Sequence, residues 1–503
     1  MPTITATKPK EVPTVKETPQ AKKEKDHPLL FEIGSAGLCA ASLSTSGVPR
    51  ADRSAIPAEL RSDAPPALPE VGELDVVRHY KRLAHRCFSI DQNFYPLGSC
   101  TMKYNPRINE RAAAMRGLGD LHPYQDESDL QGILELLYRL RCDLAEIAGL
   151  PEVTLQPAAG AHGEMTGLMI INAYHRSRGQ KRTKVLTPDS AHGTNPASCA
   201  ICGGESITVK SKSDGRVDLD DLLQKVDEQT AALMITNPNT VGVFDETIAE
   251  VARIVHSKGA LLYLDGANMN AILGIARPGD FGVDVMHFNT HKTFSTPHGG
   301  GGPGAGPVAV AEHLREFLPV PQVVKRADGS YGWDSDRPKT IGKVRSFFGQ
   351  VGVLVRAYTY IRSLGCDGLR DVSEKAVLNA NYLAARMKGR YKLPFPPPYA
   401  HEFIAVPEFP DSGVTELDIA KRLIDYGIHP PTMSWPIHHC LMIEPTETES
   451  LNTLNEFVET MLIIADEIES NPAIVKGAPH TTPVGRLDEV AANRKPNVRW
   501  RAR

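Results

Sequence analysis

Two charged residues in the middle of the chain have the properties that a catalytic cofactor site requires. Lys292 lies close in sequence to three histidines, His287, His291 and His298. A lysine in an apolar pocket among other cations can lose its proton and attack aldehydes. Asp265 ends an otherwise apolar run, where a buried carboxylate needs a cationic partner. A protonated pyridine nitrogen would be such a partner; a structural salt bridge or a metal ion are the alternatives.

Two further segments could bind other parts of a planar, phosphorylated ligand. The small residues 158–161 open a helix that starts near His162. A tight turn at a helix N-terminus presents free N–H groups and suits a phosphate, although small residues also simply let a helix pack on a sheet. His192 follows another apolar run and could cover the face of a planar ring. The alternative for His192 is a loop histidine that hydrogen-bonds to its neighbours.

A regular alternation of strands and helices would position these residues. Seven short apolar runs predict strands at Val153–Gln156, Lys184–Leu186, Ser206–Lys210, Ala232–Ile235, Leu261–Leu264, Val283–His287 and Pro307–Val310. Amphipathic stretches between them predict helices at Gly163–Arg178, Leu219–Glu228 and Thr247–Lys258. This alternation indicates βαβ units and a mainly parallel, seven-stranded sheet. Ligands bind such sheets outside the carboxyl ends of the strands, and all four candidate segments follow a predicted strand.

The composition narrows the function classes. The 503 residues are 41% hydrophobic and carry a net charge of only -4, so a general basic field for nucleic acid is not expected. No apolar run reaches the roughly 18 residues that span a bilayer. The eight cysteines and the N-terminal segment, which carries acidic residues and many lysines, favour a cytoplasmic location for the protein. The pair Cys199 and Cys202 is weak support for zinc, and we expect no metal.

The chain is predicted to have five parts. Residues 1–27 are polar and rich in Lys, Glu, Thr and Pro, which favours a disordered tail. An N-terminal arm at 28–110 contains a helix at Leu74–Ala84. A large cofactor-binding domain is expected at 111–360 and a smaller αβ domain at 361–471, with helices at Val351–Leu364 and Ser373–Lys388. The basic segment 472–503 is expected to form an arm.

Long sequence motifs throughout the chain resemble the P-protein family of the glycine cleavage system. They are YPLGSCTMKYNP (95–106), LQPAAGAHGE (155–164), DSAHGTNPAS (189–198), NPNTVGVF (237–244), LYLDGANMNAILG (262–274), HKTFSTPHGGGGPGAGP (291–307), HPPTMSWP (429–436) and MIEPTETES (442–450). The match runs from about residue 28 to the C-terminus. The family has a long single-chain form and a split form with two subunits, and this chain resembles subunit 2 of the split form, which has the cofactor lysine.

The resemblance implies a fold-type I, aspartate aminotransferase-like enzyme that uses pyridoxal 5'-phosphate. Lys292 would carry the cofactor as a Schiff base, Asp265 would keep the pyridine nitrogen protonated and His192 would cover the ring. The remaining cofactor contacts implied by the resemblance are Gly160, Ala161 and His162 at the phosphate, His291 near it, and Ala267 under the ring. Glycine would lose its carboxylate, and the aminomethyl group would pass to the lipoyl group of H-protein.

The resemblance also implies a partner. The missing half of the long form would be subunit 1, with two copies of each subunit in the assembly and no contact with nucleic acid or membrane. Two other readings stay open. One is another fold-type I enzyme, such as an amino-acid decarboxylase or a cysteine desulfurase, for which only Cys100 lies in a suitable loop. The other is a non-catalytic scaffold subunit, which would have no reason to keep both Asp265 and Lys292.

Overall fold

A computed structural model of the chain describes residues 27–40, 47, 49, 52–62, 64, 67–299 and 304–499. The predicted tail, apart from residue 27, and residues 300–302 of the glycine-rich loop lie outside this range. The chain divides into two compact units, one formed by residues 1–88 and 479–503 and the other by residues 89–478. The five-part division expected from the sequence stays a prediction.

The helices and strands have the following bounds. The helices are α1 (Leu30–Ile33), α2 (Glu73–Ala84), α3 (Arg107–Ala113), α4 (Arg116–Gly119), α5 (Gln131–Ala148), α6 (Gly160–Ser177), α7 (Thr194–Ile201), α8 (Leu219–Lys225), α9 (Ile248–Ser257), α10 (Thr290–Thr293), α11 (Val351–Met387), α12 (Glu416–Asp425), α13 (Leu451–Ser470), α14 (Pro472–Lys476) and α15 (Glu489–Arg494). The strands are β1 (Glu152–Thr154), β2 (Lys184–Pro188), β3 (Glu205–Val209), β4 (Thr230–Thr236), β5 (Leu261–Gly266), β6 (Val285–Phe288), β7 (Val308–Val310), β8 (Gln322–Lys325), β9 (Tyr331–Asp334), β10 (Phe403–Ala405), β11 (Thr432–Met433) and β12 (Leu441–Ile443).

A seven-stranded sheet forms the centre of the unit at residues 89–478, in the order β1-β7-β6-β5-β4-β2-β3. Strand β7 runs antiparallel to both of its neighbours, and the other pairs are parallel. The mainly parallel, seven-stranded sheet expected from the sequence is therefore confirmed. The strands β4 and β5 are buried along their whole length, as expected for a sheet that helices cover on both faces.

Side-chain alternation in β5 separates the two faces of this sheet. Leu262 and Leu264 belong to the core that includes helices α5 and α9. Leu261 and Tyr263 belong to the opposite core, which includes apolar residues of α6. Because residues two apart in a strand share a face, Asp265 points to the side of the sheet on which α6 packs.

A second core lies in the C-terminal part of the same unit. The strands β10, β12 and β11 form a small antiparallel sheet, and helices α12 and α13 bury apolar side chains against it. Between the two cores, α11 comprises two helices that meet at a kink at Gly365, where the backbone is non-helical. The helices predicted at Val351–Leu364 and Ser373–Lys388 lie on the two sides of this kink. Leu369 and Val372, just after the kink, are buried in the first core, so packing starts the second helix earlier than predicted.

The unit formed by residues 1–88 and 479–503 has little interior among its described residues. Helix α2 matches the predicted helix at Leu74–Ala84, and α1 and α15 are short. Several large apolar side chains are exposed, including Leu60, Leu68 and Leu487. In the described part of the chain, no helix is both long enough and apolar enough to cross a membrane.

Candidate active site

The segments predicted to do chemistry meet at the carboxyl edge of the large sheet. Asp265 lies at the end of β5, and Lys292 lies in α10, just after the neighbouring strand β6. His192 follows β2, and α6 begins after β1. Parallel strands place their carboxyl ends on one edge, and the charge of Lys292 accordingly influences the pKa of both His192 and Asp265.

Lys292 is the buried lysine whose amine remains available. Its residue is only 8% exposed, and among the described residues its amine forms no hydrogen bond or ion pair. Lys103 is also buried, but its amine lies 2.6 Å from Glu447 Oε1 and 3.0 Å from the carbonyl oxygen of Thr293. A lysine held by a carboxylate keeps its proton and cannot attack an aldehyde, so the structure favours Lys292 as the nucleophile.

Asp265 is held as an ionised carboxylate in a buried site. Its Oδ1 accepts the N–H of Ala267 at 2.9 Å and lies 3.3 Å from His287 Nε2, and its Oδ2 accepts from Asn195 Nδ2 at 3.0 Å. Burial alone would raise the pKa of Asp265, but His287, the Asn195 hydrogen bond and the charge of Lys292 together lower the pKa below its usual value. Asp265 therefore offers a negative charge to a cation at this edge.

His287 is oriented by a chain of buried groups. Its ring is fully buried, and Nδ1 lies 2.7 Å from the hydroxyl of Tyr263. Burial lowers the pKa of His287, with a smaller opposing effect from Asp265. A neutral ring can accept the Tyr263 proton on Nδ1 and donate Nε2–H to Asp265. The sequence singled out His287 only as a neighbour of Lys292, and this orienting contact was not predicted.

His192 is half-buried, unlike Asp265 and His287. Its ring packs edge-on against Trp435 at 5.3 Å, and its Nδ1 receives the N–H of Thr194 at 3.2 Å. Burial lowers the pKa of His192, and the charge of Lys292 lowers it further. The ring is therefore neutral at neutral pH, which suits stacking on a cofactor and is also consistent with a well-bonded loop histidine.

The first turn of α6 is packed tightly against the end of β6. A Cβ on Gly160 would lie 1.7 Å from Asn289 Oδ1, so only glycine fits there. The N–H groups of the first helical residues have no acceptor within the helix, and they include those of Ala161 and His162. His162 Nδ1 accepts the N–H of Ala158 at 3.1 Å, which fixes the ring against the turn.

His291 and Ala267 flank the nucleophile and the carboxylate. The rings of His291 and His298 lie 5.0 Å apart. Burial, reinforced by the charge of Lys292, lowers the pKa of His291 to about 3, so this ring is neutral. Ala267 is half-buried, and its N–H caps Asp265. Neither position conflicts with the cofactor contacts expected from the sequence, and their roles stay predictions.

A second buried cluster beside Lys292 was not predicted. His401, Glu402 and Glu444 are all fully buried, with His401 Nε2 lying 3.5 Å from Glu402 Oε1 and 3.9 Å from Glu444 Oε1. Burial raises the pKa of Glu444 to about 7, and burial together with Glu444 raises the pKa of Glu402 well above its usual value. No sequence pattern links them to Lys292, because they lie more than 100 positions after it.

The loop at 95–106 supports this second cluster. Ser99 and Thr101 have positive φ angles of 66° and 47°, and their N–H groups donate to Glu402 Oε2 at 2.7 Å and to Glu444 Oε2 at 3.0 Å. Positive φ at residues other than glycine is uncommon and often marks functional sites. Cys100 between them is close enough to Lys292 to feel its charge, although burial raises the pKa of its thiol. A loop that is remote in sequence thus belongs to the site.

The donor set fits pyridoxal phosphate. A buried amine without a partner among the described residues can bind an aldehyde, and a buried carboxylate can bind a protonated ring nitrogen. The free N–H groups at the start of α6 can bind a phosphate. These three functions come from Lys292, Asp265 and the turn at 160–162, all at one edge of the sheet. The cluster of Glu164, Asp265 and His287 has ligand atoms close enough for a metal ion, but hydrogen bonds already occupy most of these atoms.

Comparisons with known proteins place this geometry in a family. Residues 372–480 match the model of the glycine dehydrogenase C-terminal domain, and residues 163–321 match that of class-V aminotransferases. The chain is 56% identical over 480 residues to the probable glycine dehydrogenase (decarboxylating) subunit 2 of Bacillus licheniformis, covering 94% of this chain and 99% of that protein. It is 55% identical to the protein of the same name from Halalkalibacterium halodurans, covering 95% and 98%.

A solved structure supports the fold. A glycine decarboxylase (P-protein) of the glycine cleavage system, in inhibitor-bound form, superposes with a TM-score of 0.70 at 22% identity. The match covers 82% of this chain and 94% of that chain. The fold-type I architecture expected from the sequence is confirmed.

Proposed function

This chain belongs to the glycine dehydrogenase (decarboxylating) subunit 2 family, and on that basis we propose that it is the pyridoxal phosphate-carrying subunit that decarboxylates glycine in the glycine cleavage system. The observation that carries the proposal is that a buried Lys292 amine, without a partner among the described residues, and an ionised, buried Asp265 lie at one edge of the sheet. A scaffold subunit would have no use for either group, because each is costly to bury.

The cofactor supplies one kind of chemistry. When bound, pyridoxal phosphate offers an aldehyde for the amino group of glycine and a ring that withdraws the electron pair left by the departing carboxylate. Lys292 would hold the cofactor covalently. Asp265 would keep a proton on the ring nitrogen. His192 would cover one face of the ring and help to exclude water.

Other residues of the chain complete the binding site. The N–H groups at the start of α6, from Gly160 to His162, bind the phosphate, with His291 nearby as a neutral ring. Ala267 would lie under the ring, and its N–H donates to Asp265. Glu402 and Glu444 lie beside Lys292 and can hold protons near neutral pH, since burial raises the pKa of both.

We propose that the aminomethyl group passes to the lipoyl group of H-protein and that the chain works with subunit 1, with two copies of each. The relatives carry the name subunit 2, which supports a partner chain. Exposed apolar side chains such as Leu60, Leu68 and Leu487 support it too, because apolar surface of this kind marks interaction sites. Eight cysteines fit a reducing compartment, and the cytoplasm is the proposed location.

Reduction with borohydride tests the assignment of Lys292. Borohydride fixes the cofactor to the lysine that carries it, and peptide mapping should place the label on Lys292. A label on Lys103, which Glu447 holds at 2.6 Å, would contradict the assignment.

Glycine-dependent exchange of labelled bicarbonate tests the activity and the partner. We expect exchange when H-protein and a subunit 1 are both present. The chain alone should be inactive, and full exchange without subunit 1 would contradict the proposed assembly.

A further inference from the structure

Glu164 is a buried carboxyl group to which the chemistry above gives no role. It is 3% exposed and lies on α6, on the side that faces the sheet. Gly167, one turn later, lets the helix approach: a Cβ there would be 2.4 Å from the ring of Tyr263. This close packing places the Glu164 carboxyl beside the end of β5, where Asp265 lies.

Three side chains from the first part of α7 contact the Glu164 carboxyl. Thr194 Oγ1 lies 2.7 Å from Oε1, and Asn195 Nδ2 and Ser198 Oγ lie 3.0 and 3.1 Å from Oε2. Because these three residues lie in the first two turns of α7, their contacts fix both the position of the helix and its rotation about its own axis. Asn195 and Ser198 are buried, so these contacts satisfy polar groups that water does not reach.

Two of these contacts continue directly to the cofactor site. Asn195 Nδ2 also donates to Asp265 Oδ2 at 3.0 Å, so one amide group bridges two carboxyls. Thr194 Oγ1 also lies 3.0 Å from His192 Nδ1. A single residue therefore links the Glu164 carboxyl to each of the two groups proposed to contact the cofactor ring: Asn195 links it to Asp265, and Thr194 links it to His192.

We propose that Glu164 is a positioning residue that holds Asp265 and His192 in register with the cofactor through Asn195 and Thr194. The inference rests on the proposed function, since it concerns the placing of these two groups around pyridoxal phosphate. No sequence pattern pointed to Glu164, because its partners lie 30 or more positions away.

The Glu164 carboxyl accepts three hydrogen bonds. The Thr194 hydroxyl donates to Oε1, and Asn195 Nδ2 and the Ser198 hydroxyl donate to Oε2. His192 Nδ1 accepts the N–H of Thr194 at 3.2 Å and lies beside the Thr194 hydroxyl. One carboxyl therefore holds both Thr194, which contacts His192, and Asn195, which donates to Asp265.

The titratable groups that act on Glu164 come from the sheet. Asp265 and His287 offer atoms within 4.8 Å of its carboxyl, and the charge of Glu164 raises the pKa of Tyr263. Burial, reinforced by the charge of Asp265, raises the pKa of Glu164 to about 7. A proton on Glu164 would leave Asp265 as the single negative charge of this pair.

The test compares Glu164→Gln with Glu164→Ala. An amide keeps the shape of the carboxyl. Its oxygen can accept from Asn195 and Ser198, and its NH₂ group can donate to the Thr194 hydroxyl once that hydroxyl turns to His192 Nδ1, so Glu164→Gln should bind pyridoxal phosphate within about threefold of the wild type. Glu164→Ala leaves buried donors unpaired and should weaken binding by about tenfold to a hundredfold. Glu205→Gln, an exposed site on β3, is the matched control and should not change the affinity.

The measurements use the chain together with a subunit 1, and they do not depend on turnover. Cofactor affinity is measured by equilibrium titration, and the pH dependence of the cofactor absorbance band is recorded for each variant. That pH profile should be unchanged in Glu164→Gln and displaced in Glu164→Ala, because only the second variant loosens Asp265. If Glu164 had only a packing role, its replacement would not displace the pH profile of the absorbance band.

Each outcome decides the question. If Glu164→Gln is as impaired as Glu164→Ala, or if both behave like the wild type, positioning through these hydrogen bonds is wrong. Should Glu164→Ala fail to fold by circular dichroism, Thr194→Val replaces it. That variant removes the Oγ1 that joins Glu164 to His192 and keeps the Asn195 contacts. It should weaken binding, whereas Thr194→Ser should restore it; wild-type affinity in Thr194→Val would refute the link. A wild-type chain without cofactor on Lys292 would instead refute the proposed function.

Discussion

Replacing Asp265 by asparagine tests the electrostatic basis of the site. The change keeps the shape of the side chain and removes its charge. Asp265 is 3% exposed, so water cannot compensate for the loss. Both of its oxygens accept hydrogen bonds, from Ala267 N–H and from Asn195 Nδ2, and an asparagine in either orientation turns an NH₂ group towards one of these donors.

The expected loss can be worked out from these contacts. One donor facing another in a buried site costs about 1–3 kcal/mol. Two unit charges about 4 Å apart at an effective dielectric constant of about 20 interact by about 4 kcal/mol, which is the stabilisation that a ring proton would lose. Because 1.36 kcal/mol corresponds to a factor of ten, we expect Asp265→Asn to retain the cofactor on Lys292 while its rate falls about a thousandfold.

Exchange of labelled bicarbonate with glycine, in the presence of subunit 1 and H-protein, measures this loss. The cofactor content of each preparation is determined from its absorbance, so that a rate can be given per bound cofactor. Asp220→Asn, at an exposed position on α8, is the matched control. An exchange rate within about threefold of the wild type at full cofactor content would show that Asp265 does not hold the ring proton.

Three further predictions concern packing and protonation. His192→Phe should keep most cofactor affinity and His192→Ala should lose more, because only the aromatic ring can stack; identical titrations for the two would refute stacking. Gly160→Ala should lower the free energy of unfolding in urea by about 1–3 kcal/mol, since its Cβ would lie 1.7 Å from a side-chain oxygen, whereas Gly117→Ala, with open space around it, should be tolerated. The hydrogen bond to Asp284 raises the pKa of His256, so this pair stabilises the fold fully below the unfolded pKa of about 6.5 and the contribution is lost as pH rises through the folded pKa. The melting temperature of His256→Gln should therefore fall further below that of the wild type at about pH 5.5 than at about pH 8.5, and an equal difference at both would contradict the assignment.

The sequence by itself determined the large sheet and the first residues of the site. Apolar runs of strand length that alternate with amphipathic helices admit few other folds. In such a sheet the residues after the strands share one edge, and this rule alone predicts that Asp265, Lys292 and His192 lie together. Long family motifs then specified the cofactor and the reaction, because these strings are too long and numerous to recur by chance.

Only the tertiary structure decided which buried groups support that site. Glu164 meets Asn195 because α6 packs against β5 and α7 at close range, and Glu402 meets Ser99 because a strand of the small sheet lies beside a loop from the start of the unit. The tertiary structure also distinguishes Lys292 from Lys103 as the candidate nucleophile, because Glu447 holds the amine of Lys103. Periodicity reports which face of an element is buried, but not which element of distant sequence covers it. Contacts between such elements, and the protonation states that follow from them, arise only when the chain is packed.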